Sequence, residues 1–169
     1  GDVDGDGFDD ILIGAYGNQT NGVGSEKISL ILGSSLGVNT TIDLPTVDYI
    51  FQGQDRDYSG RRVHLGGDLD NDGLAEIFVS TRRKYQGSNI SGGGYVVLGS
   101  SLGVNTTIDL INADFSFVGD NDGFESIMNI SSMGDIDGDG NVEVLTTMPY
   151  NDLIGSDAGR IAIFSACEN

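Results

Sequence analysis

The stretch DVDGDGFDD at residues 2–10 returns as DLDNDGLAE at 68–76 and as DIDGDGNVE at 135–143, a period of about 66 residues. Any fold open to this chain must therefore present one acidic loop three times, on copies of a single supersecondary unit. The sequence between the loops repeats as well: LGSSLGVNTTIDL stands at 32–44 and again at 98–110.

Each acidic segment has the form D-x-D-x-D-G-x-x-[DE]. Carboxylates at the first, third and fifth places can converge on one hard cation. The sixth-place glycine permits a sharp turn, the seventh residue can offer its carbonyl, and the ninth-place acid closes the shell. The three expected ligand sets are Asp2, Asp4, Asp6, the carbonyl of Phe8 and Asp10; Asp68, Asp70, Asp72, the carbonyl of Leu74 and Glu76; and Asp135, Asp137, Asp139, the carbonyl of Asn141 and Glu143. At ~4 Å a pair of like charges costs about 1 kcal/mol in water and about 4 kcal/mol at a partly screened site, so four carboxylates in one loop call for a divalent ion. Calcium suits them, giving three Ca2+ sites. Magnesium demands a tighter octahedron and gives up water reluctantly, and zinc would want His or Cys, of which the chain has only His64 and Cys167. A flexible acidic loop without metal is the plainer alternative. Three copies in register, each with its glycine, weigh against it.

An EF-hand would need a Glu at the twelfth place and flanking helices. The twelfth places here are Ile13, Val79 and Thr146, and the segments after the loops, DILIGAY, EIFVSTR and EVLTTMP, are short, β-branched and bounded by turn residues. These are strands. In the middle unit GRRVHLGG is a candidate strand before the loop and EIFVSTR one after it, the GGG of 92–94 leads into YVVLG, and ADFSFVG ends the unit. Four short strands cannot bury both faces of their sheet alone, so neighbouring units must stack. That is the logic of a β-propeller; a β-solenoid would have shorter rungs.

An aromatic-Gly pair, then the acidic loop, then an apolar strand ending in a Gly-Ala-Pro-like turn resembles the FG-GAP repeat of integrin alpha-subunit propellers, bacterial surface proteins and GPI-specific phospholipase D. Tyr58-Ser59-Gly60 stands where the family has Phe-Gly, while Phe124-Glu125-Ser126 lacks the glycine. The Gly-Ala-Pro element survives in pieces as Gly14-Ala15-Tyr16, Ser80-Thr81-Arg82 and Thr147-Met148-Pro149. The resemblance implies a seven-bladed, calcium-binding propeller outside the cell. The expected fold class is all-β, about two and a half four-stranded FG-GAP blades: residues 1–50 as a first blade lacking its first strand, 51–116 as the second, and 117–169 as a third lacking its last. A ring needs about four to eight blades. A piece of a longer chain is the expectation, with assembly from several copies as the alternative.

Acidic residues outnumber basic ones to a formal charge of -18, which argues against nucleic acid or an anionic membrane as a partner, since both require cationic surface. No apolar run approaches the roughly 20 residues of a membrane-spanning helix, and the first residues carry no basic-then-apolar leader pattern. Cys167, the single cysteine, excludes an internal disulfide framework. Extracellular modules of this kind bind calcium weakly, at roughly 10⁻⁴ to 10⁻³ M, which suits the outside of a cell.

No catalytic constellation is visible. His64 stands with Arg61, Arg62 and Val63 on a strand, the paired carboxylates are committed to metal loops, and the glycine-rich stretches do not precede helices. Six of the eight basic residues, Arg56, Arg61, Arg62, Arg82, Arg83 and Lys84, fall in the second repeat and could dock an acidic partner or balance surface ion pairs. Asn18, Asn39, Asn89, Asn105 and Asn129 each begin N-x-[ST], the acceptor for N-glycans. The expectation is a non-catalytic, calcium-stabilised extracellular adhesion or scaffold module with a protein or glycan ligand. One alternative is a subunit of an extracellular fibre. Another is a carbohydrate-binding propeller, for which Tyr16, Tyr85 and Tyr150 fall in comparable loops after the second strand.

Overall fold

A computed structural model describes residues 1–16, 27–37, 41, 46–54, 57–86, 89–119, 127, 129–152 and 154–165. The described chain is all-β. Its strands are β1 (Ile11–Ala15), β2 (Lys27–Ile31), β3 (Tyr49–Gln52), β4 (Val63–Leu65), β5 (Ile77–Gln86), β6 (Asn89–Val97), β7 (Thr107–Asp109), β8 (Phe115–Val118), β9 (Asn129–Ser132), β10 (Glu143–Met148) and β11 (Arg160–Ser165). They form three small sheets in the orders β1-β2-β3-β7, β4-β5-β6-β8 and β11-β10-β9. Every pairing is antiparallel but one: β7 lies parallel to β3.

The residues of β5 explain why the sheets stack. Its start, Ile77-Phe78-Val79, is apolar at three successive positions, and a strand that buries both faces reads this way rather than alternating. Ile77 and Val79 join Val3, Ile28, Leu30, Phe51, Tyr95, Val97 and Leu110 in the core between the first and second sheets. Phe78 points the other way and joins Leu69, Val96, Ile130 and Val144 in the core between the second and third. The same alternation sends Tyr95 and Val97 of β6 to one core and Val96 to the other. The middle sheet is therefore a blade packed on both sides, the arrangement of FG-GAP propeller blades.

The β5–β6 hairpin is longer than the sequence suggests. Its pairing runs on from Thr81↔Gly93 through an irregularity to Gln86↔Asn89, so the glycines at 92–94 lie inside β6 rather than ahead of it. The absence of a side chain at Gly94 matters, because a Cβ there would come within 3.1 Å of Ile130 Cδ1 in the neighbouring sheet. The same extension puts Tyr85 within β5, whereas Tyr16 and Tyr150 lie in exposed turns.

In each of the first two sheets an aspartate turns the corner that leads into β3 or β8. Asp48 accepts the amide of Leu32 (2.8 Å) and the hydroxyl of Ser35 (2.8 Å), and Asp114, 66 residues on, accepts the amide of Leu98 (2.9 Å) and the hydroxyl of Ser101 (2.8 Å). The duplicated LGSSLG is thus a turn stapled to the start of the next strand. Phe124-Glu125-Ser126, Arg56, Asn18, Asn39 and Cys167 lie outside the described residues.

Candidate metal centre

The three acidic loops are built by one set of local bonds. The first aspartate of each gathers backbone amides. Asp2 accepts from Gly5 (2.7 Å) and Gly7 (2.9 Å), Asp68 from Asp72 (3.0 Å) and Gly73 (3.0 Å), and Asp135 from Gly138 (2.6 Å), Asp139 (3.1 Å) and Gly140 (2.9 Å). The fifth-place aspartates Asp6, Asp72 and Asp139 each accept the amide of the seventh residue, Phe8, Leu74 or Asn141, at 2.8 Å. Such short-range carboxylate-to-amide bonds are what Asp makes readily in turns. The curl they impose needs a left-handed sixth residue, and Gly7, Gly73 and Gly140 have φ of 88°, 89° and 95°.

The ninth-place acid fastens the loop to the sheet. Asp10, Glu76 and Glu143 are all buried. Each accepts the amide of the loop's second residue: Val3 to Asp10 (2.7 Å), Leu69 to Glu76 (3.1 Å) and Ile136 to Glu143 (2.8 Å). Asp10 uses its second oxygen on the amide of Gly33, at 2.7 Å. The two glutamates do not: Glu76 Oε1 and Glu143 Oε1 are buried with no hydrogen-bond partner. A buried carboxylate oxygen left unsatisfied is costly unless a cation completes it.

Of the residues named from sequence, Asp68, Asp70, Asp72 and Glu76 bring one oxygen each within 4.8 Å of one another, as do Asp2, Asp4 and Asp6, and Asp135, Asp137 and Glu143. Asp10 and Asp139 stand outside these groups. Asp10 has both oxygens occupied by amides, being one methylene shorter than its glutamate counterparts. Three clusters of hard oxygen donors could therefore hold a metal ion, and the orphaned glutamate oxygens fit that use. The clusters lie side by side. The amide of Ala75 in the second loop donates to the carbonyl of Asp2 in the first (2.8 Å), and Asn71 of the second donates to Asn141 of the third (3.4 Å).

Residues 1–30 match the family model of the FG-GAP repeat. The chain carries an FG-GAP repeat. No curated protein matches the chain. The matched FG-GAP segment contains the first acidic loop and β1, and the same loop-then-strand order recurs in the second unit with β5 and in the third with β10.

In the acidic loops the electrostatics are uneven. Burial, reinforced by the charges of Asp70, Asp68 and Asp72 and only partly offset by the Leu69 amide, pushes Glu76 up from 4.5 to about 8. Burial also raises Asp4, with Asp6, Asp10 and Asp2 adding to it, whereas the amide of Gly7 leads those that lower Asp2. Since the folded state of the metal-free protein holds the Glu76 proton more tightly than the unfolded chain does, the stability this contributes is present below about pH 4.5 and is lost as pH rises through about 8. Thermal melts in EDTA should accordingly fall between about pH 6.5 and 8.5, and Glu76→Gln should flatten that slope. An equal slope in the variant would remove Glu76 from the account.

Sequence reasoning missed one buried acid. Asp57 is fully buried and accepts the amides of Gln54 (2.7 Å) and Ser59 (2.8 Å) and the hydroxyl of Ser59 (2.8 Å). It holds the turn leading to Gly60, in the Tyr58-Ser59-Gly60 element; an Asp two places before a Ser near a glycine was the available signal. His64 is half-buried, bonded to Ser132 at 2.9 Å, and its ring lies 5.6 Å from that of Phe78. Burial holds it below its ordinary value. Its contacts tie the second sheet to the third.

Proposed function

We propose that this chain is a non-catalytic, calcium-stabilised extracellular adhesion or scaffold module built of FG-GAP repeats. The observation that carries the reading is Glu76 Oε1, a buried oxygen without a hydrogen-bond partner, in the cluster it forms with Asp68, Asp70 and Asp72. Those four residues would hold one calcium; Asp2, Asp4 and Asp6 a second; Asp135, Asp137 and Glu143 a third. The carbonyls of Phe8, Leu74 and Asn141 are the further ligands expected from the pattern. Calcium there supplies charge neutralisation, which lets each loop stay curled against its sheet. All the donors are hard oxygens, which favours calcium over zinc. A non-catalytic role is supported by the use of the carboxylates in loop bonds and by His64 being committed to Ser132.

Calcium titrated calorimetrically into chelator-treated protein should give saturable heat near three equivalents, with dissociation constants of roughly 10⁻⁴ to 10⁻³ M. Glu76→Gln should remove one equivalent. Heats that are absent, or that magnesium reproduces at equal concentration, would overturn the calcium assignment.

A further inference from the structure

The one parallel pairing among the described residues shows how one repeat reaches into the sheet of another. β7 belongs to the second unit, yet it lies on the outer edge of β3 in the first sheet, in the register Ile50↔Thr107, Phe51↔Ile108 and Gln52↔Asp109. The amide of Ile50 donates to the carbonyl of Thr106 (2.8 Å), and the hydroxyl of Tyr49 to the carbonyl of Gly103 (3.1 Å). Ile108 packs against the first core, and Leu110 just beyond β7 is fully buried in it.

β8 is the repeat counterpart of β3: Asp114-Phe115 stands 66 residues after Asp48-Tyr49, with the same aspartate bonds at its start. One side of β8 pairs with β6. On its other side it is the last strand of its sheet, with no strand beyond it among the described residues. The amide of Gly119 donates inward to Gly92 (2.8 Å). Strand alternation therefore turns the amides of Ser116 and Val118 outward, as that of Ile50 turns toward β7. Where Tyr49 is partly covered by the second unit, Phe115 is 48% exposed.

We propose that the outer edge of β8 is a docking edge for an extended Thr-Ile-Asp strand of a further FG-GAP unit, taken in parallel as β3 takes β7. Backbone bonds to Ser116 and Val118 supply affinity, and the isoleucine beside Phe117 supplies selectivity, as in other cases of strand addition to a sheet edge.

The test uses the isotope-labelled, calcium-saturated protein and a peptide of the sequence VNTTIDL, that of residues 104–110. Saturable shifts are expected in the backbone amides of Phe115–Val118. Ser116→Pro removes an outward donor while sparing the bonds to β6, and should weaken binding about tenfold. The same peptide carrying Ile108→Lys leaves the protein untouched and should not bind. Shifts absent, shifts confined to Tyr49–Gln52, or binding that the lysine peptide matches would overturn the proposal. Because the readout is peptide-induced shift, its failure is distinct from a failure of calcium binding, which the calorimetric titration reports.

Discussion

Chelation should lower the melting temperature of this protein by about 20 °C. The magnitude comes from mass action: at roughly 10 mM calcium and a dissociation constant near 10⁻⁴ M each occupied site stabilises the folded state by about 2.7 kcal/mol, or about 8 kcal/mol for three. For a chain of this size, about 2–4 °C of melting temperature accompanies each kcal/mol, which gives ~16–32 °C. Electrostatics give the same sign, since removing the ions restores repulsion among Asp68, Asp70 and Asp72, which with Glu76 bring oxygens within 4.8 Å of one another, and leaves Glu76 to take up a proton in its buried place. Differential scanning calorimetry in calcium and in EDTA provides the check, with magnesium as the control. A shift below about 5 °C would mean that the loops hold their shape by hydrogen bonds alone, contrary to the role assigned to calcium.

Gly14→Ala should be the most damaging single methyl in the first two sheets. An added Cβ at Gly14 would stand 2.0 Å from the carbonyl oxygen of Gly60, a backbone atom that no side-chain rotation can move. Gly60 is itself held: its φ is 84°, its amide donates to the carbonyl of Ser80 (3.2 Å), and a Cβ on it would lie 2.8 Å from Ile28 Cγ1. The first and second sheets would have to separate at this point. Overpacking of that kind costs about 3 kcal/mol, equivalent to a melting temperature lower by about 6–12 °C. Gly103→Ala is the matched control, because nothing lies within 4 Å of a Cβ there. Equal melting temperatures for the two variants would show that the sheets do not meet as closely as described.

The acidic loops were readable because they are local. Nine residues contain the carboxylates, the left-handed glycine and most of the amides they bind, so the curl of the loop barely depends on the rest of the chain. The apolar run of β5 was equally direct, since burying both faces of a strand leaves no polar position for alternation. The pieces of the family turn motif were legible only as fragments. Gly14-Ala15-Tyr16 and Tyr58-Ser59-Gly60 sit more than forty residues apart, and it takes the packed sheets to bring Gly14 against Gly60. The different fates of Asp10 and Glu76 were likewise hidden: the pattern treats them alike, but Asp10 reaches the amide of Gly33 across the blade while Glu76 keeps an oxygen for its loop.

By itself, then, the sequence determined three acidic hairpins and the all-β units built on them, because both arise from contacts between near neighbours along the chain. Tertiary structure alone decided which edge receives which strand. Thr107–Asp109 lies in sequence between two strands of the second sheet, β6 and β8, and pairs with the first, a choice made by where Ile108 and Leu110 find a core to enter, and no local pattern of residues encodes that destination.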